Sequence, residues 1–198
     1  MAGPTLRDLL QLPTVPAPLS KSALIMIDCQ NTYRQGVMQL EGVEPALLVC
    51  AELLERARSA GAPVIHIQHD AGVGSPYDVR AEIGQIATMV APRAGEPIIT
   101  KLYPSSFEKT DLDARLKAYG VTDLVLAGFM THVCINSTAR AAFNQGYRPS
   151  VVASATATRS LPKVGGGSLP ASDVHAVALA VLTDIFAIVV PDASGVPA

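Results

Sequence analysis

The chain has 198 residues, of which 49% are hydrophobic and 16% charged, with a formal net charge of −2. That length suits one domain with a sizeable core, and the apolar content excludes a disordered chain. A pI near 6.1 leaves no basic footprint for nucleic acid or for an anionic membrane. The charged share falls below the usual value of roughly a quarter, which implies a partly covered surface and hence a homo-oligomer, dimer or tetramer.

Residues 1–20 read as an N-terminal arm punctuated by Pro4, Pro13, Pro16 and Pro18, and residues 21–198 as a single domain. The arm has no basic start, and Arg7 and Asp8 interrupt its short apolar pattern, so it does not read as a signal peptide. Ser22 to Asp28, SALIMID, is a strand ending on a carboxylate. Pro45 to Ala60 is a helix with Leu47, Cys50, Leu54 and Ala57 on one face, stopped by Gly61 and Pro63. Pro63 to Gln68 is a second strand. The Gly- and Pro-rich stretch Ala71 to Gly95 shows no period that assigns it. Pro97 to Thr100 is a short strand leading into Lys101. Thr110 with Asp113 resembles a capping box for a helix through Tyr119, ended by Gly120. Asp123 to Gly128 is a strand, and Thr131 or His132 to Gln145 is a helix with Ile135, Thr138, Ala139 and Ala142 inward. Pro149 to Ala153 is a strand. Asp173 to Asp184 is a helix with Val174, Val177, Ala178, Val181 and Leu182 on one face, and Phe186 to Val190 is the last strand.

Apolar strands alternating with amphipathic helices predict an α/β fold with a parallel sheet covered on both faces. The mean hydropathy is +0.32, yet the most apolar stretch, Val174 to Val190, is broken by His175, Thr183 and Asp184. A membrane span needs about 20 apolar residues in succession, so no membrane partner is expected. The three cysteines form no CxxC pair, which points to a reducing cytoplasm and a thiol free for chemistry.

In an open parallel sheet, sites form beyond the carboxyl ends of the strands. Asp28, Lys101 and Cys134 all fall there: an acid, a cation and a thiol on one rim. Each alone has an ordinary reading as cap, solvated lysine or core filler, but their convergence favours chemistry. Cys134 lies in the first turn of a helix, where N–H groups and the macrodipole favour a thiolate, and Lys101 nearby lowers its pKa further. Asp28 then takes the thiol proton. Cys29 is expected to point to the other face of the strand, and Cys50 lies on the buried face of a helix.

The runs ALIMIDCQNTY, Lys101 followed by YPSSF, AGFMTHVCINSTAR, GYRPSVVASATATRS and VHAVALAVL resemble the isochorismatase-like cysteine hydrolases over roughly Ala23 to Val190. The resemblance implies a three-layer α/β/α fold with a six-stranded, mainly parallel, Rossmann-like sheet. It also implies a catalytic triad of Asp28, Lys101 and Cys134, and a cis peptide between Phe129 and Met130. The Met130 and Cys134 N–H groups then form the oxyanion hole. A cofactor-independent hydrolysis of a small amide through a thioester follows. Members that cleave the vinyl ether of isochorismate by aspartate acid catalysis are the alternative, and a non-catalytic binding subunit is a third reading. Gln30, Tyr33, Tyr103, Phe107 and Thr131 follow or precede the triad and are the expected substrate contacts, with Ser106 and His132 beside them. Lys101→Ala is expected to act through electrostatics without touching the fold.

Other signals weaken. His66 and His69 are three apart on a strand and point oppositely unless the chain turns. The Asp-x-His metal motif of related nicotinamidases is missing, because Asp70 is followed by Ala71 and Gly72. No metal is expected, although His69 can still orient a substrate. Gly165-Gly166-Gly167 follows no strand directly, so it reads as a mobile loop over the site or at an interface rather than a phosphate cradle. DCQNTYRQG lacks a dinucleotide fingerprint. Ser154 stands where the family commonly has an aspartate, which replaces an acceptor but not a charge.

Overall fold

A computed structural model describes residues 3–198. Among them eight strands follow in chain order: β1 (Ser22–Ile27), β2 (Val64–His69), β3 (Ile98–Lys101), β4 (Asp123–Phe129), β5 (Arg148–Ala157), β6 (Leu161–Pro162), β7 (Ser168–Leu169) and β8 (Ile188–Val190). Six of these form one sheet in the order β3-β2-β1-β4-β5-β8, every neighbouring pair parallel. The helices are α1 (Leu6–Leu9), α2 (Val43–Ser59), α3 (Leu112–Tyr119), α4 (Asn136–Asn144) and α5 (Ala171–Val181).

The strands form where the sequence is almost wholly apolar, because a parallel strand is buried on both faces. All six residues of β1 are buried. On one face, Leu47, Cys50, Leu54 and Ala57 of α2 join Leu24, Met26, Val125 and Val152. On the other, Leu112 and Leu116 of α3 and Ala139 and Ala142 of α4 join Ile25, Ile27, Leu126 and Val151. Each fully buried large aliphatic side chain contributes about 1.5–3 kcal/mol. These two layers of helices cover both faces of the sheet and leave its carboxyl-end rim free for a site.

The strand order reverses between β1 and β4, so the crevice at their carboxyl ends is the topological switch point where ligands bind in such sheets. Gly128 permits the close approach there. Its φ is +117°, and a Cβ on it would meet the Ile27 carbonyl oxygen at 1.9 Å. Any side chain would push β4 off β1 directly beneath the site.

Several expectations are corrected. The Thr110–Asp113 capping box does not form: Asp111 caps α3 without a side-chain bond, and the Asp113 carboxylate accepts from Lys117 Nζ and Tyr147 Oη instead. A capping box does form at α1, between Thr5 and Asp8. The helix read from Thr131 begins as a π-helical turn, Thr131–Ile135, before α4. The one read to Asp184 ends α5 at Val181 and continues as a π-helical turn, Leu182–Phe186. Val177 and Val181 are 59% and 40% exposed, and of that face only Val174, Ala178 and Leu182 are buried. Gly165 to Gly167 lie in the connection of an antiparallel β6–β7 hairpin, with Lys163 N–H donating to Gly167 O. No helix among the described residues is long and apolar enough to cross a membrane.

Candidate active site

Three strand ends supply the chemistry. Asp28 follows β1 in a left-handed conformation, φ +51°, a region that non-glycine residues rarely occupy and Asp tolerates better than most. Lys101 ends β3, and Cys134 sits in the π-helical turn after β4. Lys101 Nζ lies 2.7 Å from Asp28 Oδ2 and donates to Cys134 Sγ at 3.3 Å. Exposure is 0% for Asp28, 1% for Lys101 and 6% for Cys134, so the charges are desolvated and their mutual fields only weakly screened. The Asp28–Lys101 contact is a short buried ion pair through Oδ2, and Asp28 Oδ1 has no hydrogen-bond partner among the described residues.

The resting thiol differs from the sequence expectation. Burial, and next the Asp28 carboxylate, push the Cys134 pKa up to about 12, with Lys101 opposing. Helix-end N–H groups and one ammonium do not overcome a buried, doubly disfavoured anion. Cys134 therefore rests as a neutral thiol. Burial works to lower the Lys101 pKa, but Asp28 and Cys134 outweigh it and hold the ammonium above its ordinary value. Lys101→Ala would strand the Asp28 charge in the interior, so its effect reaches the fold as well.

A cavity of about 130 Å³ opens above the thiol, lined by Tyr33, His69, Tyr77, Pro104, Met130, Val133 and Cys134. It is comparable to cavities that hold one six-membered ring, about 150 Å³. A hollow of about 220 Å³ at the amino end of the sheet carries no nucleophile, and the Arg7 guanidinium lining it is held by Pro13 O and Ile185 O.

Of the residues expected to touch substrate, Tyr33 lines the cavity, its ring edge-on to Tyr77 and Phe129 at 5.8 and 5.6 Å. The others do not. Gln30 is wholly buried, with Nε2 donating to His69 O and Gly84 O and Oε1 accepting from His69 N–H. Tyr103 is 39% exposed and pairs with Lys109. Phe107 packs into the opposite core beside Tyr147. Thr131 is buried and bonded to Ala157 O and His175 Nδ1. Ser106 bonds Thr138, and His132 Nδ1 meets Thr158 Oγ1 at 2.5 Å.

The sequence reading missed Tyr77, which lies in the unassigned stretch. That stretch is tied to the site by backbone bonds from Asn31 N–H to Gln85 O and Ala87 N–H to Cys29 O. They bring Tyr77 edge-on to His69 at 5.0 Å. His69 is half-buried, and burial, then Lys101, keep its pKa below the usual imidazole range. Asp70 accepts two bonds from Arg80.

An Isochorismatase domain model matches residues 22–194. The chain belongs to the isochorismatase family. It is 33% identical over 181 residues to the secreted isochorismatase effector Isc1 of Verticillium dahliae, covering 91% of this chain and 93% of that protein. It is 32% identical to the ureidoacrylate amidohydrolase RutB of Stutzerimonas stutzeri, over 74% of this chain and 75% of the relative. The crystal structure of an isochorismatase from Pseudomonas putida KT2440 superposes with a TM-score of 0.94 at 36% identity, covering 98% of this chain and 100% of the other. This isochorismatase-family chain is a hydrolase with the family's six-stranded parallel sheet.

Proposed function

We propose that this hydrolase cleaves a small amide-like C–N bond through a thioester on Cys134, with Asp28 as acid and base and Lys101 as the electrostatic clamp. The carrying observation is the contact of Lys101 with both Asp28 and Cys134, the last of which lines a small aromatic-walled cavity. The amidohydrolase named among the relatives supports the amide reading.

The neutral thiol sets the order of events. Asp28 takes the Cys134 proton as sulfur attacks the carbonyl carbon, so the anion need never stand free in the buried site. The tetrahedral oxyanion is held by the Met130 and Cys134 N–H groups, and each such donor contributes about 10²–10³ in rate. Asp28 passes its proton to the departing nitrogen, the C–N bond breaks, and a thioester and free amine result. Asp28 next deprotonates water, which adds to the thioester. Collapse releases the acid and returns the proton to sulfur. Lys101 stays charged throughout and needs no proton of its own to move.

The test is a panel of small amides and ureido acids, read by amine or ammonia release and by intact mass. Wild type is expected to gain an acyl mass on Cys134 and turn over, and Cys134→Ala to do neither. Turnover by Cys134→Ala at the wild-type rate would sink the covalent route in favour of Asp28 acid catalysis.

The homo-oligomer expected from composition belongs to the same proposal. Exposed Leu6, Leu9 and Leu10 on the arm and Val177 and Val181 on α5 supply apolar surface for a second copy, and Leu6 N–H bonds Asp184 just beyond α5. Sedimentation at micromolar concentration should show a multimer, and a monomer would refute it.

A further inference from the structure

We propose that His175, on α5, is a positioning residue that fixes the Met130–Cys134 segment through Thr131; this rests on the acyl-transfer reading above. His175 belongs to the VHAVALAVL run, which the reaction itself leaves unused. Neither it nor Thr131 lines the cavity.

Donor and acceptor counting defines the contact. Thr131 is wholly buried, and its Oγ1 lies 3.0 Å from Ala157 O and 3.0 Å from His175 Nδ1. A hydroxyl has one proton to give and lone pairs to receive. The arrangement that satisfies all three groups runs from His175 Nδ1–H to Thr131 Oγ1, and from Thr131 Oγ1–H to Ala157 O. That chain assigns the Nδ1–H tautomer. Burial keeps the His175 pKa below the usual value, favouring the neutral ring.

The same chain brackets Met130. Ala157 is the register partner of Phe129, the residue before Met130, and its carbonyl receives Thr131, the residue after. The Met130 carbonyl itself accepts from the Val133 and Ile135 N–H groups at 3.1 and 3.3 Å. Ala157 and Thr131 thus hold the segment to the sheet, and His175 adds the tie from the helical layer. Val174 and Ala178, which flank His175 along α5, are themselves buried. Loss of the His175 tie frees Thr131 to rotate, and the Met130 N–H drifts from where an oxyanion forms.

Two reactions of Cys134 separate positioning from general damage. Acylation by p-nitrophenyl acetate forms a C–S bond, breaks the ester C–O bond and passes through an oxyanion. Alkylation by iodoacetamide displaces iodide directly and needs no such stabilisation. His175→Gln and His175→Leu are expected to slow acylation by about ten- to hundredfold while alkylation keeps its wild-type rate. His175→Asn places an amide N–H close to where Nδ1 sits and is expected to recover most of the acylation rate. An Asn variant no better than Leu, a parallel fall in alkylation, or unchanged acylation in all three would each overturn the proposal. Wild type that gains no acyl mass on Cys134 would overturn the acyl-transfer reading and this inference together. Acylated wild type with indifferent variants would overturn only the positioning role.

Discussion

Two charge clusters lie along one sheet, one buried and one half-buried, and they differ in how completely their polar atoms are paired. At the carboxyl end, Asp28, Lys101 and Cys134 meet, with Asp28 Oδ2 on the Lys101 ammonium and Oδ1 outside any hydrogen bond among the described residues. Near the amino end, five residues before Lys101 in sequence, or about 16 Å along an extended chain, Glu96 is saturated. It accepts from Arg58 Nε at 2.7 Å and Nη2 at 2.8 Å and from Arg93 N–H at 2.8 Å, and meets His66 Nε2 at 3.1 Å. A saturated carboxylate is fixed as an anion and can only hold structure. An unsaturated one beside a neutral thiol can exchange a proton. Both clusters set a carboxylate against a cation, but only the first leaves a carboxylate oxygen free beside a thiol.

The largest effects expected are at the unsaturated cluster, where two substitutions pull the thiol in opposite directions. Asp28→Asn removes the base and is expected to lower acyl transfer by about 10²–10⁴. It also removes one cause that raises the Cys134 pKa, so iodoacetamide should alkylate the variant faster than wild type at pH 7. Lys101→Met removes the opposing charge and leaves Asp28 buried and unpaired, at a cost of about 3–5 kcal/mol in stability. Its surviving folded fraction should alkylate more slowly than wild type. Urea melts and intact-mass kinetics read both. Equal alkylation rates in the three proteins would show that the neighbouring charges do not set the thiol's state. In wild type, a pKa of about 12 means that alkylation should rise through pH 7 to 9 without a plateau.

Much of this was legible in advance, for physical reasons specific to each element. β1 and β4 are continuous apolar runs because both faces are covered, so Asp28 and Cys134 could be placed at strand ends from sequence alone. Lys101 followed from the same rule. Phe107 and Thr131 fall outside the cavity lining because proximity in sequence to Lys101 or Cys134 does not fix which side of the chain faces the cavity. Tyr77 was invisible, since residues 71–95 are held by backbone bonds to Asn31 and Cys29 rather than by any periodic pattern. The protonation state of Cys134 was misjudged because burial is a tertiary quantity, whereas the helix end that argued for a thiolate is local. The Thr110–Asp113 spacing failed as a cap while Thr5–Asp8 succeeded. At α3 the carboxylate had better partners in Lys117 and Tyr147.

The saturated cluster gives the smaller and purely structural prediction. Three donors, led by Arg58, lower the Glu96 pKa from 4.5 to about 2 against the cost of burial. A carboxylate held below its unfolded value contributes stability that is complete above about 4.5 and fades as pH falls toward 2. A shift of that size corresponds to about 3 kcal/mol. Burial also keeps the His66 pKa low, so proton uptake by the unfolded chain erodes stability in the same direction below the usual imidazole range. Glu96→Gln should therefore lower unfolding free energy by up to about 3 kcal/mol at pH 7, with the gap to wild type closing as pH falls from 4.5 toward 2. Cysteine reactivity at the other end of the sheet should stay unchanged in this variant. A gap independent of pH would show that Glu96 acts by packing rather than by charge. A change in Cys134 alkylation would show that the two clusters are coupled along β3, because Glu96 lies just before the four-residue strand that Lys101 ends.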